Sequence, residues 1–165
     1  MKCTRWSGLV LLTAVTVVLL GLLSSCSMLG GKAKIEKDFA FTGADGQPHK
    51  VSDYATKPLV LNFWATWCPP CVGEMPHFQE VYAEKGSQFN LVSVAVASSE
   101  DPKAFADSNG YTWTFGQVTD DVAPQMYGIE GIPATFFYDK SGKLVDQMIG
   151  GMSKEEFEER LAKIL

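Results

Sequence analysis

The sequence predicts an α/β domain: a mixed sheet covered on both faces by helices. Two apolar runs of strand length, 58–65 (PLVLNFWA) and 89–97 (FNLVSVAVA), show no polar alternation, which suits strands buried on both sides. A stretch with helical periodicity separates them. Short strand pairs bounded by turn residues stand before the first run and near the C-terminus.

The elements follow in order. Residues 39–54 alternate loosely around Gly43-Ala44-Asp45-Gly46, a turn between two short strands. The run 58–65 is the first buried strand. A helix should begin near Cys68 and end about Lys85, with Met75, Phe78, Val81 and Tyr82 on one face. The run 89–97 is the second buried strand. Asp101-Pro102 reads as an N-cap followed by proline at the first helical position, opening a short helix over 102–108. Residues 112–118 read as a short strand and 122–127 as a helical turn. Two strands, 134–138 and 144–149, flank the hairpin turn Asp139-Lys140-Ser141-Gly142. Ser153 opens the last helix, with Glu156 completing a capping box.

The N-terminus carries a different pattern. Lys2 and Arg5 precede an apolar stretch from Gly8 to Leu23, about 16 residues long, shorter than the roughly 20 a spanning helix needs. It ends in Leu23-Ser24-Ser25-Cys26, which resembles the bacterial lipoprotein signal, where lipid is attached to the cysteine and cleavage falls just before it. The alternatives are an uncleaved signal anchor and an ordinary signal peptide. On the lipoprotein reading, 1–25 is the signal peptide, 26–37 a lipid-anchored linker rich in small and polar residues, and 38–165 the folded domain. Cleavage removes two cations and no acid, taking the formal net charge from −5 to −7. Acyl chains, and not surface charge, would then hold the body at an anionic membrane. The acidic balance and lack of a basic run exclude a nucleic-acid binder.

Of four cysteines, Cys3 goes with the signal and Cys26 takes the lipid. Cys68 and Cys71 remain, on the extracytoplasmic side, where disulfides persist. Two thiols with only Pro69 and Pro70 between them suit a metal clip, a structural staple or a reversible redox pair.

The pattern resembles the thioredoxin fold, and more narrowly the TlpA/ResA-like membrane-tethered thiol-disulfide oxidoreductases. The resemblance runs from about Asp38 to the C-terminus. It rests on Trp67-Cys68-Pro69-Pro70-Cys71 (W-C-x-x-C), on Glu74 and Pro76 (C-x-x-E-x-P), on Gly131-Ile132-Pro133-Ala134-Thr135 and on Ile149-Gly150-Gly151 before the last helix. It implies an N-terminal β-hairpin, an inserted βα element from Asn90 to about Val122, and a cis bond before Pro133 that sets this proline against the disulfide and exposes the backbone of Ile132. An extended client could pair there. One position departs from thioredoxin: Asn62 stands where thioredoxin has a buried aspartate six residues before the first cysteine. Asn62 cannot exchange a proton near neutrality, so another group must do so.

The chemistry expected of the pair follows from its place. At a helix N-terminus the dipole and free N–H groups favour a thiolate, so Cys68 is the nucleophile and Cys71, one turn on, resolves the mixed disulfide. Pro69 and Pro70 supply no N–H donors. Less stabilisation of the thiolate makes a weaker oxidant, expected below about −180 mV and nearer roughly −270 mV. Glu74 is the candidate proton acceptor for Cys71; the plainer reading is an acid favoured by the first-turn dipole. Trp67, with Pro69, Pro70, Ile132 and Pro133, should form the docking surface, and Trp64 is placed partly in the core. His49 and His77 read as surface residues.

Two other functions use parts of the same residue set. A metal (copper) delivery module would use Cys68, Cys71 and His77, but no further Cys or His lies nearby to complete a zinc set. A peroxiredoxin-like peroxidase would need Thr66 further from the cysteine. We therefore expect an extracytoplasmic, lipid-anchored reductase, monomeric, without metal or cofactor. It would take electrons from a membrane-embedded thiol donor to protein disulfide clients, either an apocytochrome c or a secreted enzyme such as a methionine sulfoxide reductase.

Overall fold

The structure, a computed structural model, describes residues 33–98, 100–118 and 122–165, with 122 and 123 described as backbone only. The signal peptide expected over 1–25, Cys26 and residues 27–32 lie outside the described residues.

The strands are β1 (Ala40–Gly43), β2 (Pro48–Lys50), β3 (Leu59–Trp64), β4 (Asn90–Val96), β5 (Thr114–Val118), β6 (Ala134–Tyr138) and β7 (Leu144–Ile149). The α-helices are α1 (Pro69–Lys85), α2 (Pro102–Asn109), α3 (Val122–Tyr127) and α4 (Lys154–Ala162). The strands form one mixed sheet in the order β2-β1-β5-β4-β3-β6-β7. β3 lies at its heart, parallel to β4 and antiparallel to β6. The segment expected as an insertion supplies β4, α2 and β5, and β4 is itself central.

Side-chain alternation splits the core into two layers. Leu59, Leu61, Phe63, Val92, Val94, Phe136 and Tyr138 pack on one face, together with Tyr127 of α3. Val60, Trp64, Leu91, Ala95 and Phe137 pack on the other, under Met75, Phe78 and Val81 of α1 and Phe157 and Leu161 of α4. The Phe78 and Phe157 rings meet at 4.3 Å between centroids, locking α1 to α4. Trp64 is wholly buried against Phe105 and Phe115, deeper than the sequence suggested.

Three departures from the sequence reading have local causes. A 3-10 helix (Val51–Tyr54) follows β2, held by the Lys50 N–H donating to Asp53 Oδ2 at 2.9 Å. β5 starts two residues later than expected because the Thr112 N–H donates to Gln79 Oε1 at 3.0 Å instead of joining a ladder. Finally, 33–37 does not run free as a linker. Ile35 is buried, the Ala33 N–H donates to the Ala55 carbonyl at 3.0 Å, and Tyr127 O–H donates to the Lys37 carbonyl at 2.7 Å. One apolar side chain with a pocket to fill outweighs the polar composition around it.

Candidate active site

The chain enters α1 through Cys68, whose extended backbone (φ −99°, ψ 101°) makes it the N-cap. Pro69 and Pro70 occupy the first helical positions, where a missing N–H costs nothing. The next N–H along, that of Cys71, is the first free donor, and it donates to Cys68 Sγ at 3.3 Å. The capping role that Ser or Asp fills elsewhere is therefore taken by sulfur. Pro69 and Pro70 remove two donors, but the helix supplies a third to the same atom.

Cys68 and Cys71 form a disulfide, with an S–S distance of 2.08 Å and Cα atoms 5.3 Å apart. Cys71 is fully buried and Cys68 is 4% exposed. Around them the surface is open: Pro69 and Pro70 are exposed and Trp67 is 61% exposed. The Trp67 indole N–H donates to the Ala97 carbonyl at 2.9 Å, fixing the ring beside the disulfide, and Ala97 holds a left-handed φ of 48° to present that carbonyl.

The loop before β6 closes the other side. The Ile132–Pro133 peptide bond is cis, and the Ile132 carbonyl oxygen lies 3.7 Å from Cys68 Sγ. The Pro133 carbonyl accepts from the Gly150 N–H at 2.8 Å. Gly150 has φ +107°, which an L side chain rarely adopts, and a Cβ on Gly151 would come 3.3 Å from the Pro70 carbonyl. The two glycines let the turn before α4 pass close to both the proline loop and the tip of α1.

Behind the disulfide lies a buried polar group that periodicity alone would read as core. The inward stripe of α1 is Cys71, Glu74, Met75, Phe78 and Val81, so an acid sits among apolar side chains. Glu74 is 2% exposed. Its Oε2 accepts from the Met152 N–H and its Oε1 from Asn62 Nδ2, each at 3.0 Å. Burial pushes its pKa up to about 8; the Met152 N–H and the Asn62 amide pull the other way and only partly offset it.

Sequence reasoning identified Asn62 as a departure but missed its partners. Strand register sets Asn62 opposite Ser93 on β4 and opposite Thr135 on β6. All three point to the α1 side, and with Glu74 they are the buried polar residues among those described. A usable signal was present: single polar residues interrupting the two buried apolar runs at matched depth.

The remaining candidates fall elsewhere. His49 bonds both Asp45 carboxylate oxygens at 3.0 Å within the β1–β2 hairpin, and Tyr54 O–H of the following 3-10 helix at 3.2 Å. His77 is half-buried on α1, beyond Pro76. Thr66 Oγ1 pairs with Ser98 Oγ at 3.0 Å. Among the described residues no group of three or more His, Cys, Asp or Glu is placed to hold a metal ion. Among the same residues no helix is long and apolar enough to cross a membrane.

Comparison with known proteins agrees with this geometry. Residues 32–147 match the AhpC/TSA family. The thiol-disulfide oxidoreductase ResA of Geobacillus thermodenitrificans is 35% identical over 130 residues, covering 77% of this chain and 74% of that protein. The thioredoxin-like protein YneN of Bacillus subtilis is 33% identical over 129 residues, covering 75% of each. A Chlorobium tepidum structure described as a thiol:disulfide interchange protein DsbE superposes with a TM-score of 0.71 at 30% identity, covering 82% of this chain and 99% of that one. The pneumococcal exposed lipoprotein thioredoxin Etrx1 superposes at 0.65 with 30% identity, covering 76% and 98%. The disulfide at a helix tip, the cis-proline loop against it and these relatives together make the chain a thioredoxin-fold member of the AhpC/TSA family, a thiol-disulfide oxidoreductase of the ResA type.

Proposed function

We propose that the chain is an extracytoplasmic, lipid-anchored reductase that passes electron pairs from a membrane-embedded thiol donor to client disulfides. In the reduced form Cys68 thiolate attacks one sulfur of the client bridge. That S–S bond breaks, a Cys68–client mixed disulfide forms, and the first client sulfur leaves as a thiolate that takes a proton from solvent. Cys71 then gives its proton to ionised Glu74 and attacks Cys68 Sγ. The Cys68–Cys71 bond forms, the second client thiolate leaves, and the client has gained two electrons. Regeneration runs in reverse: a donor thiolate attacks Cys68, and protonated Glu74 returns its proton to the departing Cys71.

The observation that carries this reading is the Ile132 carbonyl 3.7 Å from Cys68 Sγ, beside an exposed Trp67. An extended client strand hydrogen-bonded to that backbone would present its own sulfur to Cys68. The reducing direction rests on Pro69 and Pro70, which withhold two thiolate-stabilising donors. Cys71 N–H tempers this without replacing both. We assign Cys26 as the lipid attachment site, with 1–25 removed. Within the segment expected as linker, residues 33–37 pack on the body. Disulfide-bearing apocytochrome c and oxidised secreted enzymes such as methionine sulfoxide reductase are the two client classes, as the resemblance to ResA-type proteins suggests.

A peroxidase is the second reading, since it shares the family. Thr66 tied to Ser98, and Cys68 tied to Cys71, favour disulfide exchange. Trapping decides. A Cys71→Ser chain should accumulate a mixed disulfide with its client, identified by mass spectrometry after non-reducing separation. No adduct from that variant, together with peroxide consumption by the parent chain, would overturn the assignment.

A further inference from the structure

The buried polar side chains behind the disulfide form one directed chain of hydrogen bonds. Trp113 Nε1 is a donor only, and it donates to Ser93 Oγ at 2.9 Å. Ser93 donates to Asn62 Oδ1 at 3.2 Å. Asn62 Nδ2 then donates twice, to Thr135 Oγ1 and to Glu74 Oε1, each at 3.0 Å. From the indole onward one unbroken run of donors leads to Glu74, with a side branch to Thr135.

The Asn62 amide has a second orientation, turned half a revolution about its terminal torsion. There its carbonyl oxygen faces Glu74 and its nitrogen faces Ser93. That arrangement accepts a hydrogen bond from neutral Glu74 and repels the ionised form. Ser93 discriminates between the two. Its oxygen already takes the Trp113 N–H. A second donor from the turned amide would leave the Ser93 hydroxyl proton without its Asn62 acceptor, and a buried unmade bond is costly.

We propose that Ser93, backed by Trp113, is a positioning residue that holds the Asn62 amide donor-first against Glu74, so setting the proton affinity of Glu74 and the pH at which Cys71 resolves a mixed disulfide. This rests on the proton-accepting role proposed above for Glu74. The influences on Glu74 are few. Burial raises its pKa, while the Met152 N–H from the turn before α4 and the Asn62 amide from β3 lower it; among the described residues no charged group acts on it. Thr135 on β6 reaches it through Asn62, and Cys71 and His77 stand one turn to either side on α1. The orientation of one amide is therefore a large lever on this acid.

The test uses the full-length chain in detergent, in its disulfide form. Infrared spectra across pH read the carbonyl stretch of protonated Glu74, assigned by its loss in Glu74→Gln. Ser93→Ala should raise the proton affinity of Glu74 about fivefold, the worth of one ordinary hydrogen bond. Trp113→Phe should move it in the same direction by less. Ser93→Thr keeps the hydroxyl and should stay with the parent. The pH profile of the resolving step should move with the infrared midpoint. A Ser93→Ala midpoint equal to the parent's overturns the proposal, as does an equal shift in Ser93→Thr, which would assign the effect to the strand and not the hydroxyl. The Glu74→Gln arm separates the two layers of argument. A resolving step with the parent's pH profile in Glu74→Gln removes the proton role and this proposal with it. A flattened profile there, with Ser93→Ala unmoved, overturns this proposal alone.

Discussion

Glu74 Oε2 accepts a 3.0 Å hydrogen bond from the backbone N–H of Met152, 78 residues further along the chain. That bond ties the middle of α1 to the turn before α4. The same turn holds the proline loop through Gly150 N–H and Pro133 carbonyl at 2.8 Å. The acid behind the disulfide and the loop in front of it are thus referenced to one piece of backbone.

The raised pKa of Glu74 has a consequence for stability. Folded, the group holds its proton to about 8; the ordinary value is 4.5. Between those limits the folded state binds a proton that the unfolded state has lost, so the contribution is fully present below 4.5 and falls away as pH rises through about 8. Urea unfolding of the disulfide form should show stability declining across this window. Glu74→Gln should flatten the decline, whatever its absolute cost. Parallel pH curves for the two chains would refute the assignment of that slope to Glu74.

Asn62→Asp should steepen the same decline. It sets a second carboxyl 3.0 Å from Glu74 Oε1, in place of a donor. Two buried acids at that distance share a proton and titrate as a pair, with one apparent value pushed higher. The folded state then retains a proton further into the alkaline range, so stability is lost as pH rises. Urea midpoints at pH 6 and pH 9 should differ more in the variant than in the parent.

The parts of the site that were legible in the sequence are those set by neighbours along the chain. Cys68 followed by Pro69 marks a helix start, Ser153 and Glu156 a capping box, and Asp101-Pro102 another N-cap; all three stand where expected. The parts that were not legible depend on register between distant strands. The polar interruptions at Asn62 and Ser93 mark candidates, but that Asn62 faces Ser93 and Thr135 is decided by how β3, β4 and β6 slide into place. Ile35 was hidden for a related reason: one apolar residue in a polar run becomes core only when a distant surface offers it a pocket.

Gly116→Ala should destabilise the sheet without touching the redox pair. A Cβ there would collide with the Phe41 ring and come 2.7 Å from the Thr42 carbonyl, across the junction of β1 and β5. Overpacking of this kind costs about 1–3 kcal/mol. Thermal unfolding should report the loss, while the rate of disulfide exchange per folded molecule stays at the parent's value.

Trp67→Ala should weaken client capture more than chemistry. The ring is 61% exposed beside Cys68 and takes no part in the proton path. With a peptide disulfide as substrate, KM should rise several-fold while kcat changes little. A fall confined to kcat would place Trp67 in the chemical step instead.

The most direct measurement is reduction of insulin by the full-length chain in detergent, with dithiothreitol as the electron source, compared with Cys68→Ser. Cys68 acting as the attacking sulfur predicts that the parent accelerates precipitation of the insulin B chain and that Cys68→Ser adds nothing to the rate of dithiothreitol alone. Equal acceleration by both chains would contradict it.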